Sequence, residues 1–253
     1  MSDMTLAGKC LFVTGGNSGI GFATALRFAR EGADIAILSR RAGANEVVKT
    51  EIEALGVRCL TIAGSVTDED AVREAVEATV KTFGGIDYAF NCAGLSQSVT
   101  PIESLALEEF IGLMDINARG TFLSMKYQIP VMRARGGGAI CNCASAAGLI
   151  PSAFQVAYAG AKFAVVGLTR GTALEVAKDN IRVNVVCPGA TTGEMWIEFA
   201  ERHPDRAALA LAKHPLGRVG YKEEVADAVL FLNRDATFTT GHALPVDGGR
   251  TAG

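Results

Sequence analysis

Short apolar runs alternate with longer amphipathic runs along most of this chain. Continuous apolar runs of this length are typical of strands that are buried on both faces of a sheet. They predict strands at Cys10–Thr14, Asp34–Leu38, Val57–Ile62, Asp87–Asn91, Ala139–Cys143, Ile181–Val186 and Ala243–Val246. The amphipathic runs predict a first helix ending at Glu31, helices at Glu46–Leu55, Asp70–Phe83 (capped by Thr67 or Asp68) and Leu107–Met132, and one around Tyr158 to about Lys178.

The order of these elements indicates the fold class. Strands and helices alternate with short connections, and no strand shows the polar alternation of a solvated edge. This pattern predicts an α/β fold with a doubly wound parallel sheet of about seven strands and helices on both faces. No linker, repeat or low-complexity tract divides the chain, so residues 1–253 are interpreted as a single domain. Only Ala190–Arg218 interrupts the alternation, and long loops in compact domains are usually functional, so we interpret about 190–218 as a substrate lid.

Composition narrows the possible partners. The chain has 253 residues, of which 49% are hydrophobic and 20% charged, as in compact globular proteins. Its net charge of −3, without a basic stripe, argues against nucleic acid and anionic membranes as partners. No apolar run approaches the roughly 20 residues of a membrane-spanning helix, and Met1–Lys9 lacks the apolar segment of a signal peptide. We therefore expect a cytoplasmic protein.

The cysteines and histidines predict no metal site. None of the six cysteines forms a Cys-x-x-Cys pair, and all lie in or beside apolar runs, so we expect buried, reduced thiols. The three histidines are scattered along the sequence.

Tyr158 and Lys162 are candidate catalytic residues. Residues four apart share one face of a helix, so the Lys162 ammonium can lie beside the Tyr158 phenol. A cation there favours the phenolate, which a tyrosine acting as acid and base at neutral pH requires. By itself, however, the pair could equally lie on a solvated helix face.

A glycine-rich segment at residues 14–21 joins the first strand to the first helix. Glycines there permit a tight turn and let backbone N–H groups approach a pyrophosphate at the helix N-terminus. The alternative is a simple strand–helix turn. The position after the first strand of a βαβ unit favours a nucleotide site.

The spacing of this segment, Thr-Gly-x-x-x-Gly-Ile-Gly, resembles the entry motif of the short-chain dehydrogenase/reductase family. Further segments match that family in order and spacing: Asn91-Cys92-Ala93-Gly94, Asn117, Ser145 at the usual interval before Tyr158, Pro188-Gly189, Gly241 and Val246-Asp247-Gly248-Gly249. The resemblance covers essentially the whole chain and implies a Rossmann-type fold.

The resemblance also implies roles for individual residues. Tyr158 would exchange the proton, Ser145 would polarise the substrate oxygen, and Lys162 would bind the nicotinamide ribose and relay protons through a water held by Asn117. The less specific alternatives are a turn serine at Ser145 and an amide bonded to nearby backbone at Asn117. The implied cofactor-binding residues are Gly15, Asn17, Ser18, Gly19, Ile20, Gly21, Ser39, Arg40, Arg41, Ser65, Val66, Asn91, Ala93, Gly94, Tyr158, Lys162, Pro188, Gly189 and Thr191.

The end of the second strand bears on cofactor choice. A carboxylate there would bind the ribose 2′-hydroxyl of NAD and repel a 2′-phosphate. This chain instead has Ser39, followed by Arg40 and Arg41, whose guanidinium groups suit phosphate. We therefore expect NADP(H) to be preferred, with NAD(H) possible. The alternative is that the two arginines are simply solvated.

Two positions depart from the family pattern. Ser65-Val66 stands where members commonly have Asp-Val, which puts the usual carboxylate contact to adenine in doubt. Gly193 stands where a threonine often follows Pro188-Gly189, which leaves Thr191 and Thr192 as candidates for the carboxamide contact.

Taken together, the sequence predicts an NADP(H)-dependent oxidoreductase that interconverts a small-molecule ketone and a secondary alcohol. The nearest alternative is a 3-oxoacyl-thioester reductase, whose carrier would need a basic patch; Arg133, Arg135, Arg202 and Arg206 are candidates. A non-catalytic nucleotide-binding regulator would be expected to lack at least one of the four catalytic residues. Apolar surface on the Leu107–Met132 and Tyr158 helices, which the family often pairs across a two-fold axis, predicts a homotetramer or homodimer.

Overall fold

The computed structural model describes residues 5–252, and these form a sheet of seven strands. The strands are β1 Cys10–Thr14, β2 Asp34–Ser39, β3 Cys59–Ala63, β4 Tyr88–Asn91, β5 Gly138–Cys143, β6 Ile181–Pro188 and β7 Ala243–Val246. Their order is β3-β2-β1-β4-β5-β6-β7, and every neighbouring pair is parallel. The predicted doubly wound sheet is confirmed.

Helices cover both faces of this sheet. They are α1 Gly19–Arg30, α2 Ala42–Glu53, α3 Glu69–Phe83, α4 Leu107–Met114, α5 Gly120–Ala134, α6 Val156–Val176, α7 Glu194–Arg202, α8 Pro204–Ala212 and α9 Lys222–Leu230. Alternate residues of β1 point to opposite layers: Leu11 and Val13 pack in one cluster with α1, α2 and α9, while Phe12 packs in another with α3, α5 and α6. Burial on both faces explains the continuous apolar runs.

The prediction of one helix over Leu107–Met132 is wrong. A π-helical turn, Asp115–Arg119, separates α4 from α5. The turn contains Asn117, whose amide Nδ2 donates to the carbonyls of Leu95 and Leu113. One of these partners lies outside the helix, and no helical period in the sequence encodes that contact. Such π-turns are frequent at functional sites.

Several element ends also differ from the prediction. β3 begins at Cys59 rather than Val57, β6 continues to Pro188, and α2 begins at Ala42 rather than Glu46. Of the two predicted caps of α3, Asp68 is correct, because its carboxylate accepts hydrogen bonds from the N–H groups of Asp70 and Ala71 at 3.0 and 3.2 Å.

The segment Ala190–Arg218 is largely helical rather than an irregular excursion. It contains α7 and α8, and α8 begins at Pro204, a residue suited to the first helical position. Trp196, Phe199 and His203 form a row of contacting rings along α7, each pair 5.7 Å apart between centroids. Within residues 5–252, no helix combines the length and apolar character needed to cross a membrane.

Candidate active site

A cleft of about 1110 Å³ opens at the carboxyl edge of the sheet. It lies where the strand order reverses between β1 and β4, the position at which open α/β sheets bind ligands. Its volume exceeds the range of about 300–1,000 Å³ that is usual for one drug-sized ligand. The cleft therefore has room for a large ligand together with a small one.

The glycine-rich loop forms one end of this cleft by close backbone contact. Gly15 has a φ of 70°, and a Cβ there would lie 2.9 Å from the Cα of Ala93. A Cβ on Gly21 would collide with the carbonyl oxygen of Gly15, whereas Gly19 faces open space. No side chain caps the first turn of α1, so its N–H groups are left for an anion in the cleft.

Beyond the loop, the end of β2 lines the cleft. The Ser39 side chain is buried, and its hydroxyl donates to the Asn45 carbonyl oxygen, which also accepts from Asn17 Nδ2 at 2.9 Å. Arg40 and Arg41 are exposed at the cleft rim. Arg41 lies 3.5 Å from the Glu194 carboxylate on α7, whereas Arg40 has no ion pair within the described chain.

The four predicted catalytic residues converge in the middle of the cleft. Lys162 is 4% exposed, its Nζ donates to the Cys143 carbonyl at 3.0 Å, and it lies 5.7 Å from the centre of the Tyr158 ring. The solvated-face alternative for this Tyr–Lys pair is therefore wrong. Ser145, at the end of β5, lines the same space.

The position of Ser145 is compatible with both roles considered from the sequence, a turn serine and a donor to the substrate oxygen. Its Oγ accepts a hydrogen bond from the Ala147 N–H at 3.1 Å, as a turn serine would. A hydroxyl that accepts one bond still has its own proton to donate. That proton is free to point at a ligand oxygen in the cleft.

Asn117 is 1% exposed and its side chain is bound to backbone. Besides the two bonds given by Nδ2, its Oδ1 accepts from the Leu95 N–H at 3.3 Å. Gly94 provides the space between Asn117 and Lys162, because a Cβ there would lie 2.7 Å from Asn117 Oδ1 and 3.4 Å from Lys162 Nζ. The backbone-bonding alternative is thus correct for the amide, and the lysine lies close beside it.

All but one of the predicted cofactor residues line the cleft. The exception is Asn91, which is 2% exposed and hydrogen-bonds Gln128 and Asn142 inside the protein. Its assignment as a cofactor residue is not supported by this position. It instead ties β4 to β5 and α5.

The two departures from the family pattern also lie on the cleft wall. Ser65 shares a hydrogen bond of 2.8 Å with the Thr67 hydroxyl. Thr191 donates to the Gly189 carbonyl at 3.1 Å, and Thr192 accepts from the Lys222 N–H at 3.1 Å. Neither threonine is distinguished by exposure, since both are half-buried.

Three lining residues were missed by sequence reasoning. Gln97 is 3% exposed, and its Oε1 accepts from the Tyr158 N–H at 3.0 Å while its Nε2 has no partner within the described residues. His214 accepts from the Ala190 N–H at 3.0 Å and donates to the Ala210 carbonyl, which fixes the loop after β6. Arg250 follows β7 and faces the same space. The only available signal was that each residue follows a strand or lies in the 190–218 segment.

The cysteines are free thiols, and two of them line the cleft. These two are Cys92 and Cys143. Burial raises the pKa of Cys187, which does not line the cleft, to about 12. The pKa of Cys143 is instead lowered, by the adjacent Cys92 thiol and then by the Lys162 ammonium, against the opposing effect of burial.

Comparison with known proteins gives the family. The family model described as "Enoyl-(Acyl carrier protein) reductase" matches residues 15–251. A 2,5-dichloro-2,5-cyclohexadiene-1,4-diol dehydrogenase of Sphingobium indicum is 41% identical over 100% of both chains, and a cyclohexanol dehydrogenase of Acinetobacter sp. is 40% identical over 96% of this chain and 95% of its own. The chain belongs to the short-chain dehydrogenase/reductase family. A crystal structure of NAD⁺-bound xylitol dehydrogenase superimposes with a TM-score of 0.93 at 34% identity, covering 96% of this chain and 99% of that one.

As a short-chain dehydrogenase/reductase, the protein is an oxidoreductase of alcohols and carbonyl compounds that uses a nicotinamide cofactor. The cleft fits that cofactor. The uncapped N-terminus of α1 suits the pyrophosphate, the rim at the end of β2 suits the adenosine ribose, and the buried Lys162 ammonium offers a hydrogen-bond donor in the same cleft.

Proposed function

We propose that this enzyme interconverts a small-molecule ketone and the corresponding secondary alcohol, with NADP(H) as the preferred cofactor. The observation that carries the proposal is the convergence of Ser145, Tyr158 and Lys162 in one cleft, beside an uncapped helix N-terminus. Hydroxyl, phenol and ammonium groups at one point can bind a carbonyl oxygen and exchange a proton with it.

Each residue has a distinct task in this mechanism. The bound nicotinamide supplies or accepts the hydride. The Ser145 hydroxyl donates to the substrate oxygen, and the Tyr158 phenol gives that oxygen a proton during reduction or takes one during oxidation. Lys162 stabilises the phenolate. Asn117 fixes the backbone around Leu95, and the second lone pair of its Oδ1 accepts from a water that refills the relay.

The carrier-bound alternative has less support. Of its four candidate arginines, Arg202 and Arg206 line the cleft. Arg133 pairs with Asp179, and Arg135 pairs with Asp87 at the start of β4, at the other edge of the sheet. The four candidate arginines therefore form no single basic patch at the cleft, which favours a small-molecule substrate over an acyl carrier. The presence of all four catalytic residues in one cleft likewise disfavours a non-catalytic regulator.

The test is oxidation of NADPH and NADH with a panel of cyclic ketones, keto esters and acetoacetyl thioesters. We expect turnover of ketones with kcat/KM well above that of the thioesters. A preference for acetoacetyl thioesters would favour the alternative, and no turnover of any carbonyl compound would contradict the proposal.

Cofactor preference gives a sharper prediction. Arg40 is exposed at the cleft rim, whereas Arg41 is partly neutralised by Glu194, so Arg40 should carry most of the phosphate contact. A charge-assisted pair corresponds to about 10- to 100-fold in affinity. Arg40→Ala should therefore raise KM for NADPH by that factor and leave KM for NADH nearly unchanged. Arg73→Ala, at a half-buried arginine on α3 that does not line the cleft, is the control.

The double variant Arg40→Ala, Ser39→Asp should prefer NADH over NADPH, because a carboxylate repels the 2′-phosphate and accepts a hydrogen bond from the ribose hydroxyl. The proposed preference for NADP(H) is wrong if wild type already favours NADH, or if Arg40→Ala raises KM for both cofactors equally.

We also propose that the protein assembles as a homotetramer or homodimer. Apolar side chains are exposed on three neighbouring helices: Leu107, Phe110 and Ile111 on α4, Phe122 on α5, and Phe163 and Leu174 on α6. Burying such a face against a second copy removes apolar area from water. Light scattering at micromolar concentration should give two or four times the mass of the chain, and a monomer mass would contradict this.

Three further expectations stand as proposals. Residues 1–253 form one domain, the helices of the 190–218 segment cover the substrate, and the protein is cytoplasmic. Trp196 and Phe199, which line the cleft from α7, support the second.

A further inference from the structure

Arg250 is a positively charged residue in the same cleft as the four catalytic candidates. It lies four residues beyond β7, is half-buried, and lines the cleft with Ser152 and Tyr158. Its Nη2 donates to the Ser152 hydroxyl at 2.9 Å. A guanidinium has five N–H donors, and the bond to Ser152 is the one hydrogen bond that this guanidinium gives within residues 5–252.

Nothing else in the described chain compensates this charge directly. No carboxylate of residues 5–252 forms an ion pair with Arg250. The nearby Asp247 carboxylate is occupied by the N–H groups of Gly249 and Thr251 and by the Thr251 hydroxyl. Burial lowers the pKa of Arg250, opposed by Asp247 and by Tyr158. A partly dehydrated, unpaired charge is costly unless a ligand pairs with it.

Arg182 shows what a structural arginine looks like in the same protein. It is also half-buried without an ion pair, but its guanidinium donates to the carbonyls of Leu232, Asn233 and Ala236. Those three bonds hold the turn after α9. Arg250 has one acceptor within residues 5–252, and it lines a cavity.

Other residues that line the cleft are also positively charged. Arg206, over the Phe154 ring at 4.8 Å, and Lys213 both line this side of the cleft, and neither has an ion pair within residues 5–252. The two carboxylates that line the cleft are paired already, Glu198 with Arg202 at 2.6 Å and Glu194 with Arg41 at 3.5 Å. The field in this part of the cleft therefore favours an anion.

We propose that Arg250 binds a carboxylate of the substrate, so that the preferred substrates are keto acids and the corresponding hydroxy acids. The planar fork of a guanidinium matches a carboxylate with two parallel hydrogen bonds. Ser152 orients the fork by accepting from one nitrogen. This inference rests on the proposed function, because it names the substrate class of that same site.

The first test compares two substrates that share a ring and a ketone: 4-oxocyclohexanecarboxylate and its methyl ester. Wild type should prefer the acid by about 10- to 100-fold in kcat/KM. Arg250→Gln should remove that preference by raising KM for the acid, with little change in its kcat and in both constants for the ester. Arg250→Lys should fall between the two, and Arg73→Gln is the control for loss of a surface charge.

The second test measures binding without turnover. Trp196 is the only tryptophan of the chain and lines the cleft, so its fluorescence reports occupancy. Cyclohexanecarboxylate, which has no ketone, should bind wild type at least tenfold more tightly than Arg250→Gln. Cyclohexanecarboxamide should bind both proteins equally.

These measurements separate the proposed oxidoreductase function from the proposed carboxylate site at Arg250. If wild type does not distinguish the acid from the ester, or if Arg250→Gln and Arg250→Lys weaken both alike, the carboxylate site is wrong and the proposed function stands. If neither ketone is reduced but carboxylate binding depends on Arg250, the proposed function fails and the site stands. Absence of both turnover and Arg250-dependent binding overturns both.

Discussion

Tyr158→Phe should abolish turnover while leaving the cofactor bound. The substitution removes one hydroxyl from a half-buried residue near the start of α6 and keeps its ring. Loss of a positioned proton donor costs about 10²- to 10⁴-fold in rate. The measurement is kcat for ketone reduction, together with the dissociation constant of NADPH from fluorescence.

Tyr127→Phe is the matched control for this variant. The Tyr127 hydroxyl bonds Glu69 at the exposed surface, far from the cleft, so its loss should leave kcat unchanged. Turnover in Tyr158→Phe comparable to wild type would show that another group supplies the proton. Loss of NADPH binding in the same variant would instead indicate that the phenol has a role in holding the cofactor.

Lys162→Met should give the second large loss, again about 10²- to 10⁴-fold in kcat. Methionine nearly fills the space of the lysine but removes the cation beside Tyr158 and the donor to the Cys143 carbonyl. A weaker cofactor affinity is expected as well, if Lys162 binds the nicotinamide ribose.

Lys178→Met, at the exposed end of the same helical run, controls for loss of a positive charge and should have wild-type kinetics. Thermal unfolding separates a catalytic from a structural effect, because a misfolded Lys162 variant would unfold at a much lower temperature. A folded Lys162→Met enzyme with nearly normal kcat would remove the lysine from the mechanism.

Much of the site could be predicted because the fold collects residues that are far apart in sequence. Every strand of a parallel sheet ends at the same edge, so residues that follow β1, β4, β5 and β6 meet there whatever their separation. The glycines at 15–21, Ser145, Pro188 and Gly189 were therefore identifiable from strand ends and spacing, with the family resemblance fixing their roles. Tyr158 and Lys162 needed only the helical period to share a face.

The errors have a different origin. Asn91 also ends a strand, but its side chain points inward to Gln128 and Asn142, and sequence does not specify which way an amide at a strand end turns. The π-turn at Asn117 depends on hydrogen bonds to Leu95, which lies on a separate loop. The helices α7 and α8 were not predicted, because each is only nine residues long and no strand separates them.

The sequence alone determined the fold class, because local periodicity is a property of the chain itself. The four catalytic candidates also came from the sequence, through the resemblance of its motifs and their spacing to those of the family. Only the tertiary structure decided that Ser39 gives its hydroxyl to Asn45 and that Arg41 is paired with Glu194. It also decided that Arg250 lines the cleft without a carboxylate partner among residues 5–252. The physical reason is that pairing and dehydration of a charge are set by whichever groups surround it in space, and most of those groups are distant in sequence.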